Sequence, residues 1–257
     1  MNILILGDIV GSNAISHLRK NLWKWREQQK IDFTVANGEN ASDIHGLSSF
    51  DAQQILDTGV DLITLGNHAY GMRDLYPFLD SHTKQIIRPA NYPSDAPGEG
   101  YTILSVQGWK VLFINLLGTA FMENLASPFE TLDRILSRED GQYDFSVLDF
   151  HAEATSEKAA MGYYADGRVS VVFGTHTHVP TSDGRLLPKG SAYITDIGMT
   201  GPVNGILGTD SDAVLQKFLS HMPSHFHPAD GPVQAQGIVV SLSEKTLKPE
   251  GLKPFVG

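Results

Sequence analysis

The octapeptide Phe173-Gly174-Thr175-His176-Thr177-His178-Val179-Pro180 decides how the rest of this chain is read. It closes an apolar, β-branched run from Val169 to Phe173. Such a run reads as a buried strand, so the two histidines fall in the loop at its C-terminal end, where open α/β sheets place their sites. Histidines two apart in an extended segment project the same way, and both can reach one metal ion or one each of an adjacent pair. By themselves they fit two solvated loop residues equally well, because two side chains do not complete a coordination shell.

Four other strand-like runs end in residues able to bind a metal or move a proton. Ile3-Leu4-Ile5-Leu6 runs into Gly7-Asp8, and Phe33-Thr34-Val35-Ala36 into Asn37-Gly38-Glu39-Asn40. Leu62-Ile63-Thr64-Leu65 runs into Gly66-Asn67-His68, and Phe145-Ser146-Val147-Leu148 into Asp149-Phe150-His151. If these strands lie side by side, their ends meet on one rim in a cluster richer than one metal needs.

Composition bounds the alternatives. The 257 residues suit one large α/β domain, and no linker, charge block or repeat divides them, so a single domain over 1–257 is expected. The apolar share of 41% and charged share of 19% are those of a soluble globular protein. A net charge of -10 repels phosphate backbones and argues against non-specific nucleic-acid binding, while leaving room for a small anionic substrate if metals make the site locally positive. The absence of cysteine removes disulfides, thiolate catalysis, zinc fingers and iron-sulfur clusters. No stretch is long enough to span a bilayer and the N-terminus has no signal-peptide pattern, so the cytoplasm is the expected compartment and no membrane partner is expected.

Helical spacing predicts helices over Ser12 to Gln29 with a Ser12 or Asn13 cap, Ser48 to Thr58 capped by Ser48 or Ser49, and Arg73 to Leu79. Further helices are predicted over Phe129 to Leu136, Thr155 to Tyr164 capped by Thr155 or Ser156, and Ser211 to Leu219 capped by Asp210 or Ser211. Short strands are predicted at Gln85 to Arg88 and Ala192 to Thr195, with a closing strand from Gln236 to Ser243. Tyr101 to Val106 and Lys110 to Leu116 read as a β-hairpin through Gln107-Gly108-Trp109, which makes the sheets mixed. The tail from Leu247 is expected to wrap the surface. Gly7-Asp8-Ile9-Val10-Gly11 is not a dinucleotide turn, since G-x-G-x-x-G is absent, and no P-loop Gly-Lys-Ser/Thr occurs. His221, His225 and His227 read as solvated loop histidines, and His17, His45 and His82 are read the same way.

The order Asp8, Gly38-Glu39-Asn40, Gly66-Asn67-His68, His151 and Gly174-Thr175-His176-Thr177-His178 resembles the calcineurin-like metallophosphoesterases. Gly7-Asp8-Ile9-Val10-Gly11, Asn37-Gly38-Glu39-Asn40 and Asp196-Ile197-Gly198-Met199-Thr200-Gly201-Pro202 are similar to the YmdB-like bacterial branch, the 2',3'-cyclic-nucleotide phosphodiesterases. The broad superfamily has Asp-x-His on its first strand and usually a bridging aspartate. This chain has Val10 in place of that histidine and Glu39 in place of the bridge, with Asn40 beside it.

The resemblance implies a four-layer α/β/β/α sandwich with two mixed sheets. It further implies that Asp8, Glu39, Asn40 and His178 hold one metal ion and Glu39, Asn67, His151 and His176 the other, iron or manganese before zinc. The substrate it implies is a small phosphodiester or nucleotide, opened by a metal-bridging hydroxide with His68 as general acid. Asn91 and Tyr92, in the loop after Pro89, are candidates for touching substrate. A phosphomonoesterase, or a regulatory binding protein with structural metals, are the alternatives, and a homo-oligomer is compatible with all three.

Overall fold

The computed structural model describes residues 1–42 and 45–257. In chain order they form β1 (Asn2–Leu6), β2 (Asp8–Ile9), α1 (Gly11–Gln28), β3 (Phe33–Asn37), α2 (Ser49–Asp57), β4 (Leu62–Thr64), α3 (Leu75–Ser81), β5 (Ile86–Ile87), β6 (Tyr101–Val106) and β7 (Trp109–Leu117). The second half contributes α4 (Pro128–Arg138), β8 (Phe145–His151), α5 (Thr155–Ala165), β9 (Val171–Thr175), β10 (Arg185–Leu186), β11 (Ala192–Ile194), β12 (Met199–Pro202), α6 (Ser211–Ser220), β13 (Val233–Leu242) and β14 (Pro249–Val256).

The strands make two mixed sheets. One runs β2-β12-β13-β1-β3-β4-β5 with β14 added on β13, and the other runs β10-β11-β9-β8-β7-β6. Strict alternation along each strand assigns its two faces. Ile3 and Ile5 of β1 meet Val111, Phe113, Val147, Val171 and Phe173 of the other sheet in a core between the sheets. Leu4 and Leu6 face the opposite way, onto Ile15, Leu18 and Leu22 of α1 and Ile55 of α2. Leu112, Leu148 and Val172 likewise face Leu132 and Ile135 of α4 and Met161 of α5. Three apolar layers between four layers of structure are the α/β/β/α sandwich, and they explain why the central strands read as unbroken apolar runs. Phe33 stacks on Phe113 across the middle layer at 5.0 Å between ring centres, a pair worth about 0.5–1.5 kcal/mol beyond its burial.

Three local expectations are corrected. First, α1 starts without a Ser12 or Asn13 cap, because Val10 bridges to Asn40 and the Val10 and Gly11 N–H groups donate to Thr200 and Asn40 carbonyls. Similarly α5 has no side-chain cap. Second, α3 starts two residues later than predicted, since the Asp74 carboxylate is occupied by the Ser49 N–H and hydroxyl at the start of α2. Third, the tail does not wrap the surface but forms β14, antiparallel to β13. Its prolines 249 and 254 are tolerated because β14 ladders with β13 alone, so one side of the strand needs no N–H donors. The caps at Ser48, Ser127 and Asp210 each accept the N–H three residues on, which fixes the starts of α2, α4 and α6.

Candidate metal centre

Parallel pairing of β1, β3 and β4, and of β8 and β9, brings the C-terminal ends of these strands to one rim. Asp8 and Glu39 are fully buried there, together with His151. Glu39 is held by its Oε2, which accepts the His68 backbone N–H at 2.9 Å. Gly66 is required at its position, since a Cβ there would land on the His151 ring and the Glu39 carboxylate.

His151 Nε2 is the centre of the first group of donor atoms. Glu39 Oε1 and His176 Nδ1 lie at 3.0 Å from it and Asn67 Oδ1 at 3.1 Å. All three neighbours bring lone pairs, and one ring nitrogen carries at most one proton, so hydrogen bonding alone cannot satisfy the group. A cation can. Among the described residues, Glu39, His151 and His176 are the trio of acid and imidazole side chains whose donor atoms lie within 4.8 Å of one another, and His221, His225 and His227 form no such group.

The second group surrounds Asp8 Oδ1, a buried oxygen with no hydrogen-bond partner among the described residues. His178 Nε2 approaches it at 3.7 Å, and Asn40 Nδ2 lies 3.2 Å from His178 Nε2 and 3.3 Å from Glu39 Oε1. A half-turn about the Asn40 side chain exchanges its amide nitrogen and oxygen, so the same residue offers Oδ1 to a cation. Glu39 Oε1 is the atom common to both groups. An orphaned carboxylate oxygen and a surplus of lone pairs are what a pair of divalent ions would resolve, so the residues fit the metals that the resemblance implies.

The electrostatics agree. Burial pushes the Asp8 carboxyl up, but the neighbouring imidazoles of His178 and His151, with the His176 N–H that donates to Oδ2, hold it well below the usual range. Glu39 is likewise held down against its burial, by His151. His178, despite burial, is raised to about 9 by Asp8, whereas burial and the charge of His151 lower His176 to about 4. The site thus favours the ionised forms of Asp8 and Glu39.

Each imidazole is also held by its far nitrogen, as metal-bound histidines are. His151 Nδ1 meets Thr175 Oγ1 at 2.9 Å, and that hydroxyl donates to Asp149 Oδ1 at 2.7 Å. His176 Nε2 meets Glu153 Oε2 at 3.1 Å, and His178 Nδ1 lies 3.1 Å from the Leu207 carbonyl. None of Thr175, Asp149 and Glu153 stands out as an outer partner in the sequence. Only the position of Glu153, two residues past the end of β8, is a signal.

The expected extended geometry of the His-x-His segment is corrected. His176 and His178 have φ of 95° and 62°, so the backbone turns there and sends the rings to different donor groups. The strain is sustained by Asp196, whose Oδ2 accepts the Thr177 N–H at 3.2 Å and hydroxyl at 2.7 Å and pairs with buried Lys158 at 2.6 Å. Lys158→Met would leave the Asp196 charge buried and unpaired. The expected cost is about 3–5 kcal/mol, a fall of roughly 6–20 °C in the midpoint of thermal unfolding. An unchanged melting curve would show that the pair does not hold this loop.

His68 lies at the same rim, with its Nε2 3.2 Å from Asn67 Nδ2. His45, read from the sequence as a solvated histidine, is exposed, and its ring centre is 4.7 Å from that of His68 at the edge of the same cavity. Asn91 is not brought to this cavity. Its amide is taken by the Leu117 backbone and the Ala126 carbonyl, and with Tyr92 it lines a separate cavity beside α4.

Two face-to-face mixed sheets with acids, amides and imidazoles gathered at one rim are the architecture of the calcineurin-like metallophosphoesterases. Within that class the chain belongs to the YmdB-like protein family, whose model matches residues 4–255. It is 41% identical to the 2',3'-cyclic-nucleotide 2'-phosphodiesterase of Bacillus subtilis, over 96% of this chain and 94% of the relative. A solved phosphatase from Mycoplasma pneumoniae is 30% identical with a TM-score of 0.94, over 100% of this chain and 93% of that one. A hypothetical protein from Thermus thermophilus is 38% identical, also with a TM-score of 0.94, over 100% and 99% of the two chains. No described helix is long and apolar enough to cross a membrane.

Proposed function

We propose that this chain, acting as one domain in the cytoplasm, is a phosphodiesterase dependent on two metal ions whose preferred substrates are 2',3'-cyclic nucleotides. The observation that carries the reading is the position of Glu39 Oε1, between a donor group around His151 Nε2 and a second around Asp8 Oδ1. Its likeness to the Bacillus diesterase supports the choice of substrate. Asp8, Glu39, Asn40 and His178 would hold one ion, and Glu39, Asn67, His151 and His176 the other. Iron or manganese suits this set of oxygen and imidazole donors, with zinc next. When bound, such a pair supplies activation of water and neutralisation of the phosphoryl oxygens.

The remaining work falls to the protein. Glu153, Thr175 and the Leu207 carbonyl orient the imidazoles, and Asp196 holds the loop that carries two of them. His68 faces the cavity and is assigned to neither donor group, so it is placed to give a proton to the leaving alkoxide.

Elemental analysis run beside a phosphoester panel tests the reading. About two transition-metal ions per chain are expected, with diester turnover abolished by a chelator and restored by metal. Fully active protein with one ion or none would sink the two-metal assignment. The Mycoplasma phosphatase favours a second reading, turnover of monoesters. Faster hydrolysis of p-nitrophenyl phosphate than of bis-(p-nitrophenyl) phosphate would establish it.

A further inference from the structure

The cavity at the metal centre, about 470 Å³, has two unlike walls. One carries Glu39, Asn40, His68 and the paired histidines. The other is apolar and comes from a different part of the chain: Leu207, Val214, Phe218 and Phe226, with Lys217 among them. Nothing in phosphodiester hydrolysis itself calls for that second wall, since the reacting phosphorus and water are served by the polar one.

The apolar wall is built in a way that suits a ligand better than a core. Val214 is the buried residue by which α6 is anchored, and Phe218, four residues on and therefore on the same helix face, is 72% exposed at the cavity. Leu207 is 48% exposed. Apolar surface held in water is unfavourable by about 25 cal/mol per Å² and is covered when the cavity fills. The wall is fixed relative to the chemistry, because the carbonyl of Leu207 is the group that holds His178 Nδ1 at 3.1 Å, and Leu207 itself has a φ of 54°. Lys217 Nζ lies over the face of the Phe226 ring, 5.0 Å from its centre, which puts a cationic donor on the aromatic surface itself.

We propose that this wall is a nucleobase slot, in which the purine or pyrimidine ring of the substrate lies against Phe218 and Phe226 while Lys217 donates to a ring nitrogen or carbonyl at the base edge. A flat ring with acceptors on its rim matches the exposed Phe218 ring and a lysine held on Phe226, whereas an aliphatic group would leave the lysine unused. The cavity volume falls in the range of small-ligand sites, roughly 300–1,000 Å³. The inference rests on the phosphodiesterase reading and its nucleotide substrate, and it adds which residues receive the base.

The test compares a nucleoside 2',3'-cyclic phosphate with ethylene phosphate, a five-membered cyclic diester that has no base. The ratio of their kcat/KM values is expected to fall roughly 5- to 150-fold in Phe218→Ala, the worth of one base stacked on one aromatic side chain, and to do so through KM. Phe226→Ala should lower the same ratio. Because Phe218 is exposed, its replacement does not endanger folding. Equilibrium dialysis of adenosine, which has no phosphate, against the metal-loaded protein gives a second readout, with retention expected for the native chain and weakened in Phe218→Ala. A ratio that does not change, or adenosine retention that is absent or indifferent to Phe218, would overturn the slot. If neither diester is hydrolysed, the phosphodiesterase reading fails by itself and the dialysis still decides the slot.

Discussion

His68→Ala is expected to keep both metal ions and yet lose roughly 10²–10⁴-fold in rate on a diester with a poor alkoxide leaving group, the usual worth of one positioned general acid. The structure explains why metal content and rate should separate. It is the backbone N–H of residue 68, not the ring, that holds Glu39 Oε2, and alanine retains it. The ring faces the cavity and sits beside Asn67. With p-nitrophenolate as leaving group, which departs without a proton, the loss should be much smaller. The general-acid assignment is falsified if the penalty is the same for both leaving groups. His151→Ala, by contrast, should lower metal content along with activity, since it removes the nitrogen around which a donor group is assembled.

Glu39→Gln is expected to reduce both bound metal and diester turnover by at least the roughly 100-fold that even an outer partner of a metal ligand can cost, with the fold retained. Glutamine fills the same volume and can still accept the His68 N–H, so the rim is not opened. What it removes is the charge of a fully buried carboxylate whose Oε1 lies between the two donor groups. Two cations brought close together repel, and in a buried site that repulsion is poorly screened. Metal analysis and diester kinetics on the same preparation check this, and wild-type turnover at full occupancy of both ions would show that the bridge lies elsewhere.

The sequence was informative about this chain to the extent that its signals are local. Unbroken apolar runs, helical spacing and Ser or Asp caps placed most elements within a few residues. Asp8, Glu39, Asn67, His151 and His176 could be singled out because each follows such a run. The errors came where a local signal was outbid by a distant partner. Ser12 looks like a cap, but the helix starts earlier, at Gly11, with the Val10 and Gly11 N–H groups donating to the Thr200 and Asn40 carbonyls. The proline-bearing tail looks like a surface strap, but an edge position on β13 accepts it.

By itself, then, the sequence determined the α/β class, the order of most of its strands and the residue types available at their ends, since periodicity and residue chemistry are properties of neighbours along the chain. Tertiary structure alone decided that three of those ends come from one sheet and two from the other. It also decided that His176 and His178 part company through a turned backbone, that Lys158 and Asp196 hold that turn in place, and that α6 brings an aromatic wall up to the site. The reason is physical: a donor group around His151 Nε2 or Asp8 Oδ1 is a matter of distances of 3–4 Å between residues up to 170 positions apart in sequence, as for Asp8 and His178, and those distances are set by how two sheets pack, which no local pattern encodes.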